Sequence, residues 1–207
     1  DTQGEGRGNT DVDLHLHQPG TRGDFFTVED CYWTNCTAEN YQAGNAVDWG
    51  MPDTTDSSVC DQAPHGNGDI WDVLGYCANP RLDVDVIRCD PTITDATDDN
   101  FCAPENINVD NPSEGEIYRI LVNYYSANGF TGATHPRVNV YCAGELRASF
   151  GSDDIELVNG TGSGMNNDNW TVADVRFFTN ECGVFTCEIA PINQIRTNPE
   201  FFPDWSW

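Results

Sequence analysis

Two carboxylates and two imidazoles alternate with aliphatic residues in Asp11-Val12-Asp13-Leu14-His15-Leu16-His17. In an extended strand successive side chains point to opposite sides. Val12, Leu14 and Leu16 therefore face one way, and Asp11, Asp13, His15 and His17 the other. Carboxylates two positions apart on such a strand are separated by about 7 Å, close enough to flank one cation. The pattern returns at Leu82-Asp83-Val84-Asp85-Val86-Ile87. If these two strands pair, four carboxylates converge, and a divalent cation is the simplest agent to hold such charges together in a partly dry site. Calcium takes six to eight oxygen ligands at about 2.4 Å, so Asp11, Asp13, Asp83, Asp85 and Glu105 with backbone carbonyls are its candidate ligands. No EF-hand loop is present, so the site must be assembled from distant segments.

Two other readings compete for the same residues. His15 and His17, two apart on one strand face, could hold zinc or copper, although only two of the needed ligands are in view. The plainer alternative is an acidic strand face turned to water. Catalytic signatures are missing: there is no G-x-S-x-G, H-E-x-x-H or P-loop pattern, and in so acidic a chain a pair of carboxylates carries no information. The sequence reads as non-enzymatic.

Composition bounds the partners. The chain has 207 residues and a net charge of −25, and its nine basic residues are all arginine. Such a surface repels nucleic acid and anionic lipid and attracts cations. There is no apolar run of about 18 residues, so no membrane-inserting helix is expected. Nine cysteines point to an oxidising compartment. Spacing suggests Cys31 with Cys36, Cys60 with Cys77, Cys89 with Cys102, and Cys182 with Cys187. Cys142 is left over and follows Val138 and Val140 at period two, as a buried thiol would. The start at Asp1 suits a processed secretory product, and sequons occur at Asn35, Asn159 and Asn169.

The elements that must position these residues are strands. Residues 1–10, rich in glycine, read as an N-terminal arm. Strands are expected at 11–17, 25–28, 82–87, 116–126 and 170–178, with a hairpin of 137–142 and 145–150 turning at Ala143-Gly144. Residues 30–80 form an irregular insertion, stapled by disulfides in place of a core of its own. No helix is convincing. The expected architecture is all-β: an antiparallel, jelly-roll-like β-sandwich over residues 11–180 with that long insertion, then a polar C-terminal tail, 181–207, containing a disulfide. Its aromatics Phe201, Phe202, Trp205 and Trp207 are expected to pack back on the domain or to plug into a neighbouring subunit.

Several phrases in order carry a resemblance: Asp11-Val-Asp-Leu-His-Leu, Asp30-Cys-Tyr-Trp-Thr-Asn-Cys, Asp48-Trp-Gly, Leu82-Asp-Val-Asp, Pro104-Glu-Asn-Ile-Asn, Arg137-Val-Asn-Val-Tyr and Trp170-Thr-Val-Ala. Together they resemble a family of secreted or lipoprotein-borne bacterial β-sandwich domains, related in plan to pre-peptidase C-terminal domains. The resemblance implies surface exposure and an accessory role without catalysis. It places Asp11, Asp13, Asp48, Asp83, Asp85 and Glu105 in the family's acidic motifs, whose chemistry suits Ca2+.

The reading that follows is a calcium-stabilised, secreted or cell-surface structural or adhesion module, associating with itself or with other surface proteins and forming part of a surface assembly or filament. The alternative is a carbohydrate-binding module in which Trp33, Trp49 and Trp71 of the insertion stack on sugar rings.

Overall fold

The computed structural model describes residues 10–21, 24–60, 68–87, 93–95, 103–151, 153–161, 166–197 and 206. The expected N-terminal arm, the Cys89–Cys102 pair and the aromatic residues of the last seven positions lie outside the described residues. The fold is all-β, built from antiparallel sheets. β1 (Asp11–His17), β2 (Asp30–Cys31), β5 (Ile117–Ser126), β8 (Asn169–Thr179) and β9 (Phe185–Arg196) form a five-stranded sheet in the order β2-β1-β5-β8-β9. β3 (Arg81–Leu82) pairs with β4 (Ile107–Asn108), and β6 (Val138–Cys142) with β7 (Glu145–Phe150).

One face of the large sheet carries Val12, Ile120, Val122 and Trp170. The inward residues of β6, Val138, Val140 and Cys142, pack into the same core. The β6–β7 turn uses positive φ at both Ala143 (51°) and Gly144 (79°), the backbone that matches strand twist in a two-residue hairpin. Between β1 and β5 the register slips: Asp13 opposes Asn123 but Asp11 opposes Ser126, so β5 carries one extra residue. Such a bulge bends the ladder at its end, here beside the two aspartates.

Several expectations are corrected. β1 keeps its two faces, with Val12, Leu14 and Leu16 on the main core, but its polar face is not turned to water: His15 and His17 have 0% exposure. The cause is coverage of the polar face by residues 24–36, with Phe25, Phe26 and Tyr32 against the imidazoles. Residues 25–28 are turns, and β3 ends at Leu82 rather than running to residue 87. β3 pairs with β4, not with β1. The insertion holds two short helices, α1 (Ala38–Ala43) and α2 (Gly68–Leu74). It also makes small cores of its own: one buries Trp71 with Ala38, Cys60, Cys77 and Ala78, the other Val47 and Leu82 with Cys31 and Cys36.

The polar tail contains β9, a 12-residue strand. Pro191 obscures it in the sequence, but an edge strand has one side free of ladder bonds and accepts a residue that lacks an N–H. Disulfides join Cys31 to Cys36 and Cys60 to Cys77 as spaced, whereas Cys187 bonds to Cys142 and not to Cys182. Cys187 points into the core from β9, under Cys142 of the hairpin. Cys182 sits exposed in the β8–β9 turn as a free thiol. An extended chain of five residues spans roughly 16 Å, well beyond the 7 Å limit between bridged Cα atoms, so Cys182 and Cys187 can meet only where the chain folds back.

Candidate metal centre

Ladder geometry brings together carboxylates that are far apart in sequence. β3 and β4 pair Arg81 with Asn108 and Leu82 with Ile107, and the Asp83 amide extends the ribbon by donating to the Asn106 carbonyl at 2.9 Å. Residues just beyond one strand therefore lie beside residues just before the other, which sets Asp85 next to Glu105. The ribbon docks on β1 through Glu105 itself. Its Oε2 accepts the Leu14 amide at 2.6 Å and its Oε1 accepts the Val86 amide at 3.2 Å.

At this junction one carboxylate oxygen each from Asp13, Asp85 and Glu105 lie within 4.8 Å of one another. Three oxygens spaced at that limit leave a central point about 2.8 Å from each, so an inward shift of a few tenths of an ångström brings all three to the calcium–oxygen bonding distance of about 2.4 Å. Asp11 stands beside them on β1. Asp11 Oδ1 and Asp13 Oδ2 are buried without any hydrogen-bond partner. Among the described residues no arginine or histidine pairs with any of the four.

The electrostatics follow from that packing. Burial first, and then the Asp85 charge, push Asp11 up to about 7 against the opposing effect of a hydrogen bond with Asp13. Burial raises Asp85 to about 6, with Glu39 of α1 adding to it. Asp13 is held well above the usual carboxylate range by burial and then by Glu105, Asp11 and Asp85. Glu105 is raised by burial and by Asp85, although the Leu14 and Val86 amides pull the other way. Two full charges 4.8 Å apart repel by about 3–4 kcal/mol at an effective dielectric near 20. Fully ionised, the cluster opposes the docking of the ribbon on β1; a divalent cation reverses the sign.

The other candidates lie elsewhere. Asp83 turns to the opposite side of the ribbon, where its Oδ2 accepts from Asn106 and Asn108 at 2.7 and 2.6 Å and its Oδ1 faces the Arg81 guanidinium. With β3 ending at Leu82, strand alternation no longer holds Asp83 and Asp85 on one face. Asp48 is exposed and accepts the Gly50 amide at 2.8 Å, closing a local turn. His15 Nδ1 lies 2.7 Å from Asp30 Oδ2 with its ring stacked on Tyr32, and His17 Nδ1 lies 3.0 Å from the Gln18 carbonyl. Their separate partners do not make a transition-metal cluster.

Trp71 is fully buried, and Trp33 packs edge-on against Tyr32 and Tyr125. Trp49, half-buried, lines a surface groove with Gln18, Asn111 and Glu116. Sequence reasoning missed the groove because its walls come from three separate loops with no shared motif. Of the sequons, Asn169 is 1% exposed and its Nδ2 donates to the Asn167 carbonyl, so no glycan fits on the folded chain there.

Fold and site together define a disulfide-linked, antiparallel all-β protein with a buried carboxylate cluster of cation-binding composition. No family model, curated protein or solved structure matches the chain.

Proposed function

We propose that this chain is a calcium-stabilised extracellular module with a structural or adhesion role rather than a catalytic one. The observation that carries the reading is the pair of orphaned oxygens, Asp11 Oδ1 and Asp13 Oδ2, buried in a cluster of four carboxylates with no protein cation among the described residues. A buried, unpaired acceptor costs about 1–3 kcal/mol, more when charged, and an ion bonded to these oxygens removes that cost. Magnesium prefers near-octahedral sites at about 2.1 Å with retained water and suits this crowded carboxylate set less well.

The ion's role is to clamp the β3–β4 ribbon, and the insertion attached to it, against β1. Three disulfides among the described residues match an oxidising environment, and no helix of the described chain is long and apolar enough to cross a membrane. Secretion or display at a cell surface accords with both, as does the resemblance to accessory β-sandwich domains. Self-association and contact with other surface proteins follow as the partner classes.

Thermal unfolding with calcium and with EDTA, paired with elemental analysis, tests this. A ligand at about 100 times its Kd adds about 2.7 kcal/mol, which in a domain of this size moves the midpoint by roughly 5–10 °C. The expected result is a fall of that size in EDTA, restored by calcium and not by magnesium. An unchanged midpoint with no bound metal would overturn the reading.

A further inference from the structure

Among the described residues a further feature shaped for a ligand is the open groove of about 430 Å³ beside Trp49. Its chemistry comes from Trp49 and Met51 of the insertion, Gln18 just after β1, and Asn111, Ser113 and Glu116 ahead of β5. We infer that this groove binds a neutral saccharide chain.

A pyranose ring presents C–H faces and a rim of hydroxyls, and both have counterparts here. Trp49 supplies an aromatic surface for the C–H face. The indole is set in place from below: it packs against the Cys31–Cys36 cluster, the Tyr118 ring lies 6.3 Å away, and the Asp48 carboxylate caps the following turn. Around it, the side chains of Gln18, Asn111, Ser113 and Glu116 make no hydrogen bond to the described chain. Two amides, a hydroxyl and a carboxylate thus offer open donors and acceptors to ring hydroxyls, directly or through water.

The same inventory rejects other ligands. No basic residue lines the groove and the chain carries a net charge of −25, so uronic or sulfated polymers are repelled. A purely apolar ligand would strip water from four polar side chains without replacing their hydrogen bonds. Every lining residue lies in a loop, so there is no strand edge on which an extended peptide could add. Gln18 lies five positions beyond Asp13 along an extended chain, about 17 Å, so the groove is distinct from the carboxylate cluster and does not depend on it.

The test is isothermal titration of the full chain, in calcium buffer, with cellohexaose, maltohexaose, mannohexaose and chitohexaose, and with polygalacturonate as the acidic control. Saturable binding of at least one neutral hexaose is expected. Trp49→Ala should weaken it about tenfold or more, and Asn111→Gly and Glu116→Gln about threefold each. Asn111 and Glu116 are exposed, and glycine keeps the positive φ of Asn111 (51°), so these two variants report on the groove even where Trp49→Ala compromises folding. No saturable binding to any of the four neutral chains would overturn the inference. So would tighter binding of polygalacturonate, or binding undiminished in both Asn111→Gly and Glu116→Gln.

Discussion

The backbone amide of Leu14 donates to the Glu105 carboxylate at 2.6 Å across 91 positions of sequence. The bond joins the second strand of the main sheet to the ribbon that anchors the insertion. It also fixes the orientation of a carboxylate whose charge opposes three others. Glu105 is at once the fastener and part of the load, and that double role makes the junction sensitive to cations.

Glu105→Gln should separate the two roles. The amide oxygen can still accept from Leu14, the longer bond from the Val86 amide is lost, and one charge is removed, so metal-free stability should stay near that of the parent. The calcium-dependent gain should shrink to a small fraction of its parental value. Midpoints of both proteins in calcium and in EDTA check this, and an intact calcium shift in the variant would remove Glu105 from the ligand set.

pH should act in opposite directions on the two states. In metal-free protein Asp11 near 7 and Asp85 near 6 sit above their unfolded values close to 4. Their stabilising contribution is therefore full below about pH 4 and is lost as pH rises through 6 to 7. Calcium requires the ionised form, so its contribution grows over that same window. Unfolding midpoints in EDTA should fall between pH 5 and 8, and the gap between calcium and EDTA should widen. A metal-free midpoint that climbs across this range would contradict the buried cluster.

Cysteine variants should divide cleanly. Cys142 and Cys187 close a loop of 45 positions, for which the chain-entropy model gives about 4 kcal/mol. Cys142→Ser should lower the midpoint by roughly 10 °C, whereas Cys182→Ser, at an exposed turn, should change stability by less than about 0.5 kcal/mol. Non-reducing peptide maps should show a Cys142–Cys187 peptide.

A buried charge pair joins β5 to β8, in which Arg119 Nε and Nη2 donate to the two oxygens of Asp174, its cross-strand partner, at 2.6 and 2.7 Å with both side chains at 0% exposure. Arg119→Met leaves the Asp174 charge without its partner and should cost about 3–5 kcal/mol in urea unfolding. Replacing both together by apolar residues should recover most of that loss.

Local periodicity and short loop closure were legible without coordinates. The alternation of Asp11 and Asp13 with Val12 and Leu14, the long strand at 117–126, the hairpin across Ala143-Gly144 and the Cys31–Cys36 and Cys60–Cys77 bridges all depend on residues near one another in the chain. Their physics is the two-residue strand repeat and the proximity of closely spaced cysteines. Tertiary structure alone decided which carboxylates meet. Asp85 and Glu105 reach Asp11 and Asp13 because β3 pairs with β4 and the ribbon docks through Leu14, while Asp83, two residues from Asp85, falls outside because β3 has already ended. It also chose Cys142 over Cys182 for Cys187, hid β9 behind Pro191 and sealed His15 and His17 under residues 24–36. These outcomes turn on which surfaces pack together across long sequence separations, and burial of that kind leaves no periodic trace in the chain.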